Sequence, residues 1–326
     1  MIFHTAATAE EAADLAKRIR MGTFDQSCEG LISKDPLFKS LRRLSDLRAL
    51  AADFDGTCAP GSHWESLNAR LPESLRDAQE EDRLWYFTKY LEGTGGSTGR
   101  GWQWGERSHL DPEHAAAVEG AFIARQLGRF QAAEFSKACF ESAGKKMRPR
   151  QGLASLFLRF KNRLIVSMGI VPCIKAFLKE NGLEKETRIA ATSIWFPFHK
   201  DTLSYGRMSG YGPVIMSPCG KPLAIRQFIA DQKLNPEQLL ILGDSIGDVP
   251  MMLPGVFGVF LIPHDDSPAI QQYREKAFAA IWNQADLLVI GNSIEPLADL
   301  VYEAAKTDLF RDAGAHVPEG VEEERG

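Results

Sequence analysis

The chain has 326 residues, a formal net charge of -5, and 44% hydrophobic against 25% charged residues. Those proportions belong to a globular chain and exclude a fibrous or wholly disordered one, while the acidic balance excludes a basic face for gripping nucleic-acid backbones. The length accommodates one large α/β domain with a smaller one inserted into it.

Residues 1–20 carry Glu10, Glu11 and Asp14 and no long apolar core, which argues against a secretory signal or an acid-poor transit peptide. Behind Thr8, a helix N-cap, residues 9–20 space their apolar side chains at three and four, so 1–46 is expected to be a helical lead-in. At 47–57 the run LRALAADFDGT ends abruptly on two acids, a glycine and a threonine, the pattern of a buried strand entering a tight loop. From 60 to 150 the periodicity is helical, clearest at 111–127 and 132–143, and predicts a separate helical domain. Between its helices lies GTGGSTGRGWQWG, 93–105, which lacks the Gly-Lys-Ser/Thr of a phosphate-binding P-loop and reads as a surface loop.

After 150, strand and helix alternate, which predicts a parallel sheet with crossover helices. Strands are expected at 163–169, 188–196, 238–245, 255–262 and 285–291, and helices at 171–183 and 221–234. Together, 47–59 and 151–311 make the core domain, and 312–326 has the composition of a disordered tail. The five cysteines, Cys28, Cys58, Cys139, Cys173 and Cys219, are scattered and contain no C-x-x-C pair, which points to the reducing cytoplasm rather than a disulfide or zinc scaffold. No stretch reaches the ~20 apolar residues of a membrane span, so neither membrane nor nucleic acid is expected as a partner.

Open parallel sheets bind ligands at the carboxyl ends of their strands. Those ends carry Asp53 and Asp55, then Ser167, then Asp244 and Asp248, with Lys221 opening a helix between. Each side chain has an everyday explanation: Asp55 as a turn residue, Asp244 as a helix cap, Ser167 and Lys221 as solvated polar groups. Their convergence from four separate elements favours one site. There Asp53 can attack phosphorus as a nucleophile, and Asp55 can protonate the leaving oxygen and later deprotonate water. Clustered carboxylates call for a hard cation, Mg²⁺, held by Asp53, Asp244 and Asp248. Lys221 and the hydroxyl of Ser167 would neutralise and orient the phosphoryl group.

DFDGT at 53–57, VSMG around Ser167, Lys221 and GDSIGD at 243–248 resemble, in order, the four motifs of the haloacid dehalogenase superfamily. The resemblance implies a Rossmann-like α/β core with an inserted helical cap over 60–150, an aspartyl-phosphate intermediate, and the main-chain carbonyl of Asp55 completing the Mg²⁺ shell. It also adds Met168 and Gly169, beside Ser167, as candidate substrate contacts. Motif spacing and WYFTK at 85–89 are similar to cytosolic pyrimidine 5′-nucleotidases, with phosphoserine phosphatases sharing the layout. Gly56 departs from the methionine common in the former group, and Leu84 from its glutamate.

The expected activity is hydrolysis of a small phosphorylated metabolite. Four of the six tryptophans, Trp64, Trp85, Trp102 and Trp104, fall in the helical insertion. Stacking on Trp85 or Trp102, with Glu65 or Glu106 bonding a ring, would favour a nucleotide or another ring-bearing ester; filling the insertion's own core is the competing role for Trp64 and Trp85. A phosphoserine-type phosphatase, a phosphomutase and a non-catalytic binding protein on the same fold are the alternatives, and the oligomeric state is left open.

Overall fold

A computed structural model describes residues 3–21, 29–87, 112–200, 204–212, 220–264 and 278–312. In chain order the elements are β1 (Phe3–Thr5), α1 (Ala9–Arg20), β2 (Gly30–Ser33), α2 (Leu37–Ser45), β3 (Ala49–Ala52), α3 (His63–Asn68), α4 (Glu73–Phe87), α5 (Pro112–Ala132), α6 (Lys137–Lys146) and α7 (Leu153–Arg159). There follow β4 (Asn162–Ile170), α8 (Val171–Glu180), β5 (Thr187–Thr192), the two-residue strands β6 (Ile194–Trp195), β7 (Phe198–His199), β8 (Ser204–Tyr205) and β9 (Gly210–Tyr211), then α9 (Lys221–Gln232), β10 (Leu239–Gly243), β11 (Phe257–Ile262), β12 (Leu287–Ile290) and a last helix, α10 (Glu295–Asp312).

Among the described residues, one eight-stranded sheet runs in the order β1-β2-β12-β11-β10-β3-β4-β5. Its central strands are apolar without interruption because both faces are covered. Leu50 and Ala52 of β3, with Leu240 and Leu242 of β10, face a layer containing Leu156, Phe177 and Leu300 from α7, α8 and α10. Ala49 and Ala51, with Leu239 and Ile241, face Ile19 of α1 and Ile225 and Phe228 of α9. The expected α/β core is thus present, mainly parallel, with a helical insertion between β3 and β4.

The N-terminal segment differs from the helical lead-in expected of it. α1 forms where expected, with Thr8 and Glu11 closing a reciprocal capping box, but β1 and β2 extend the sheet beyond β12. β2 pairs with β12 antiparallel, so the sheet is mixed rather than wholly parallel. Both strands are only three or four residues long, too short for a period-two pattern to stand out, and their apolar side chains gain their partners only in the assembled sheet.

A second difference lies at 188–196, expected as one strand. β5 stops at Thr192, and the chain leaves the sheet in two short antiparallel ribbons, β6 with β9 and β7 with β8. These ribbons lean on the insertion: Ile194 and Met208 join an apolar cluster with Leu67, Ile123, Phe130 and Phe140, which also takes in Ile170 and Cys173 of the core. Arg207 pairs with Glu134, and the Lys137 ammonium lies 4.0 Å from the centre of the Tyr205 ring. Helix α6 begins at Lys137 rather than 132 because Glu134 adopts a positive φ and breaks the run. No helix among the described residues is long and apolar enough to cross a membrane. The 93–105 loop and the 313–326 part of the tail lie outside the described residues.

If β2 is integral to the core, Ile32→Ala should destabilise the protein by about 2–5 kcal/mol, as truncating any buried aliphatic does, measured by urea denaturation. A loss under ~0.5 kcal/mol would be the behaviour of a surface appendage instead.

Candidate active site

Asp53 directly follows β3, and Asp244 directly follows the neighbouring parallel strand β10, which places two carboxylates about one strand spacing (~5 Å) apart. The Asp53 amide donates to the Leu242 carbonyl at 3.0 Å, so the ladder continues one residue past β3 and fixes Asp53 at its end. Asp248 lies four residues beyond Asp244 in the 3₁₀ turn Ile246–Met251. One oxygen from each of Asp53, Asp244 and Asp248 falls within 4.8 Å of the others, and all three residues are buried.

The charges are held in a definite pattern. Lys221, at the start of α9 and 4% exposed, donates from Nζ to Asp53 Oδ1 at 2.8 Å and to Asp248 Oδ1 at 2.6 Å. Asp248 Oδ2 accepts from the Asp244 and Ser245 amides and the Ser245 hydroxyl at 2.9–3.0 Å. The Thr57 hydroxyl donates to Asp244 Oδ1 at 2.8 Å. Gly56 has φ +77°, and a Cβ there would come within 2.4 Å of Asp244 Oδ2, so the loop needs glycine to approach the second acid. Arg150, donating from Nε to the Gly56 carbonyl at 2.8 Å, and Cys58, donating from Sγ to the Asp53 carbonyl at 3.0 Å, brace the same loop.

Burial pushes the Asp53 carboxyl well above the usual carboxylate range; Lys221 opposes that rise, and Asp248 and Asp244 add to it. Lys221 is itself driven upward, because the attraction of Asp248 and Asp53 outweighs the cost of its burial, and it stays charged. Three buried carboxylates thus face one ammonium. That excess of negative charge, presented by hard oxygen donors, fits a hard divalent cation such as Mg²⁺.

Asp55 stands outside that cluster. Its Oδ1 accepts from the main-chain amide of His63 at 2.9 Å and lies 2.8 Å from His63 Nδ1. Ser167, on β4 and 2% exposed, accepts the Gly169 amide on its oxygen at 2.9 Å, which leaves its own proton to donate. Met168 is half-buried between the core and the insertion. Of the expected substrate contacts in the insertion, Glu65 is exposed on α3. Trp64 stacks on Phe130 at 5.9 Å, a packing role. The Trp85 side chain, Trp102, Trp104 and Glu106 lie outside the described residues.

In the sequence His63 is a single histidine at a helix start, which carries no signal. Its place eight residues after Asp55 was the only clue, and only the fold gives that spacing meaning.

No family model matches the chain, and no curated protein sequence does. Solved structures do resemble it. A substrate-bound phosphoserine phosphatase shares 13% identity at TM-score 0.48, covering 78% of this chain and 97% of that one. A HAD family hydrolase from Salmonella enterica subsp. enterica serovar Typhi shares 15% at TM-score 0.45, over 78% of this chain and 71% of that one. The L-2-haloacid dehalogenase of Xanthobacter autotrophicus shares 16% at TM-score 0.41, over 78% and 98%. Likeness of this degree leaves activity and substrate to the chemistry of the site itself.

A hundredfold excess of Mg²⁺ over its dissociation constant should stabilise the folded protein by about 2.7 kcal/mol, read as a rise in Tm against an EDTA control, and Asp244→Asn should remove most of it. Because the raised Asp53 favours its proton, Asp53's stabilising contribution without metal is complete at low pH and is lost as pH climbs through its folded pKa. A cation needs the ionised form, so the Mg²⁺-induced rise should be larger at pH 7.5 than at pH 5. An equal rise in Asp244→Asn would place the ion elsewhere.

Proposed function

We propose that this chain is a Mg²⁺-dependent phosphatase acting on a small phosphorylated metabolite through an aspartyl-phosphate on Asp53, as its motifs' resemblance to the haloacid dehalogenase superfamily implies. The observation that carries the reading is the separate placement of the acids. Asp53 sits with Asp244 and Asp248 around Lys221, while Asp55, two residues on, is held apart by His63. A nucleophile and a proton carrier need this separation, because the first must remain ionised while the second gives up a proton and takes one back.

In the first step a carboxylate oxygen of Asp53 attacks phosphorus. The bond from phosphorus to the ester oxygen breaks, its electron pair stays on that oxygen, and the Asp55 carboxyl supplies the proton that makes it an alcohol. In the second step water attacks the phosphorus of the aspartyl-phosphate and loses a proton to the Asp55 carboxylate. The bond from Asp53 to phosphorus breaks, giving inorganic phosphate and restoring both acids. Mg²⁺, held by Asp53, Asp244, the Asp55 carbonyl and Asp248, would screen the approach of a phosphate dianion to this acidic cluster. Lys221 and the Ser167 hydroxyl would take phosphate oxygens as charge shifts onto them. The insertion packs beside the end of β4 through Ile170 and Cys173, and on this reading it would exclude water and admit the remainder of the substrate.

A panel of phosphate esters that includes nucleoside monophosphates and phosphoserine, assayed for phosphate release with Mg²⁺, tests the class and ranks substrates. Asp53→Asn should lower kcat/KM by ~10³-fold or more, and Asp55→Asn by ~10²–10⁴-fold. Undiminished turnover in EDTA or in Asp53→Asn would overturn the mechanism.

A further inference from the structure

His63 is 0% exposed, the first residue of α3, and belongs to none of the sequence motifs. Its ring has a definite orientation. Nε2 accepts the Ile170 main-chain N–H at 3.1 Å, so that nitrogen must present a lone pair, and in the neutral ring the proton then resides on Nδ1. Nδ1–H points at Asp55 Oδ1, 2.8 Å away, alongside the His63 amide at 2.9 Å on the same oxygen. Phe54 at 5.7 Å and Trp64 at 5.2 Å flank the ring. A Cβ at Gly169 would stand 2.5 Å from His63 Cε1, so glycine at that position makes room for the imidazole.

We propose that His63 is a positioning residue for Asp55: its Nδ1–H and its main-chain N–H together pin Oδ1, leaving Oδ2 to carry the proton exchanged with the leaving group and then with water. The assignment rests on the phosphatase reading above. The Ile170 amide fixes the tautomer, the tautomer fixes the donor, and the donor fixes the carboxyl. The bond forming to Asp53 and the bond breaking to the leaving oxygen are unchanged; what His63 governs is whether the Asp55 proton arrives in line with the departing oxygen. Helix α3 thereby ties the insertion to the proton-transfer step, because one ring touches the loop after β3, the insertion and the end of β4.

Asparagine and glutamine separate this role from simple packing. His63→Asn keeps an N–H near Nδ1, whereas His63→Gln moves its amide toward Nε2 and leaves Asp55 without the side-chain donor. Phenyl phosphate and p-nitrophenyl phosphate have nearly the same shape but differ in leaving-group basicity, so only the former depends strongly on an acid. His63→Gln should lose at least ~10-fold more kcat/KM on phenyl phosphate than on p-nitrophenyl phosphate, within the ~10²–10⁴-fold reach of general acid catalysis, and His63→Asn should hold the wild-type ratio. Equal losses on both esters in both variants would reduce His63 to packing and overturn the assignment. A wild type that hydrolyses neither ester defeats the phosphatase reading instead. The hydrogen bond is then decided by ¹⁵N NMR of the histidine rings: a protonated Nδ1 with a bare Nε2 at His63 upholds it, and a protonated Nε2 refutes it.

Discussion

Three carboxylates buried at the ends of two adjacent strands repel one another, and much of the surrounding structure holds them in place. Parallel pairing of β3 and β10 forces Asp53 and Asp244 together, and the turn after β10 folds Asp248 back onto the Asp244 and Ser245 amides. Isolated buried charges cost several kcal/mol each unless paired and hydrogen-bonded. Here Lys221 bridges two of the acids, Thr57 bonds the third, and main-chain amides take the remaining oxygen of Asp248. What remains unbalanced is negative charge, concentrated where a cation and a phosphate would meet. The same imbalance makes these side chains good candidates for chemistry.

The loop after β3 carries the second constraint. Phe54 is fully buried and packs edge-on against Phe177 of α8 at 5.0 Å, so the peptide between Asp53 and Asp55 is anchored in the core. With Phe54 fixed downward, the acids on either side are held by different neighbours: Asp53 by Lys221, Asp55 by His63. The loop's turn at Gly56 is clamped by Arg150, which reaches the Gly56 carbonyl with Nε and the Asn292 carbonyl with Nη1. Such over-determination is what allows a short loop to hold two like groups in unlike surroundings.

Much of this was legible in the residues. The strands leading to Asp53 and Asp244 are continuous apolar runs that stop on polar groups, Ser167 follows the apolar run of β4, and α1 announces itself through Thr8 and Glu11. Lys221 could be placed because it heads a helix of clear length. What could not be read depends on contacts between distant segments. β2 becomes a strand by joining β12, and β1 by joining β2, and the ribbons of 194–211 are two-residue pairings that leave no periodic trace. His63 and Arg150 acquire their partners 8 and 94 residues away through the fold alone. Trp64 takes the core-filling role weighed for it: its ring lies against Phe130 in the insertion's own core.

The central claim is that Asp53 becomes covalently phosphorylated, and it has a direct chemical signature. Acid-quenching the protein during turnover of p-nitrophenyl phosphate with Mg²⁺, reducing it with borohydride and sequencing the peptide that spans 49–59 by mass spectrometry reads the reactive carboxyl, since an acyl-phosphate is reduced to an alcohol while a free carboxylate is not. The account predicts homoserine at position 53 and unchanged aspartate at position 55, and only in samples given substrate. Release of phosphate with no reduction at position 53, or with homoserine at position 55 instead, would contradict it.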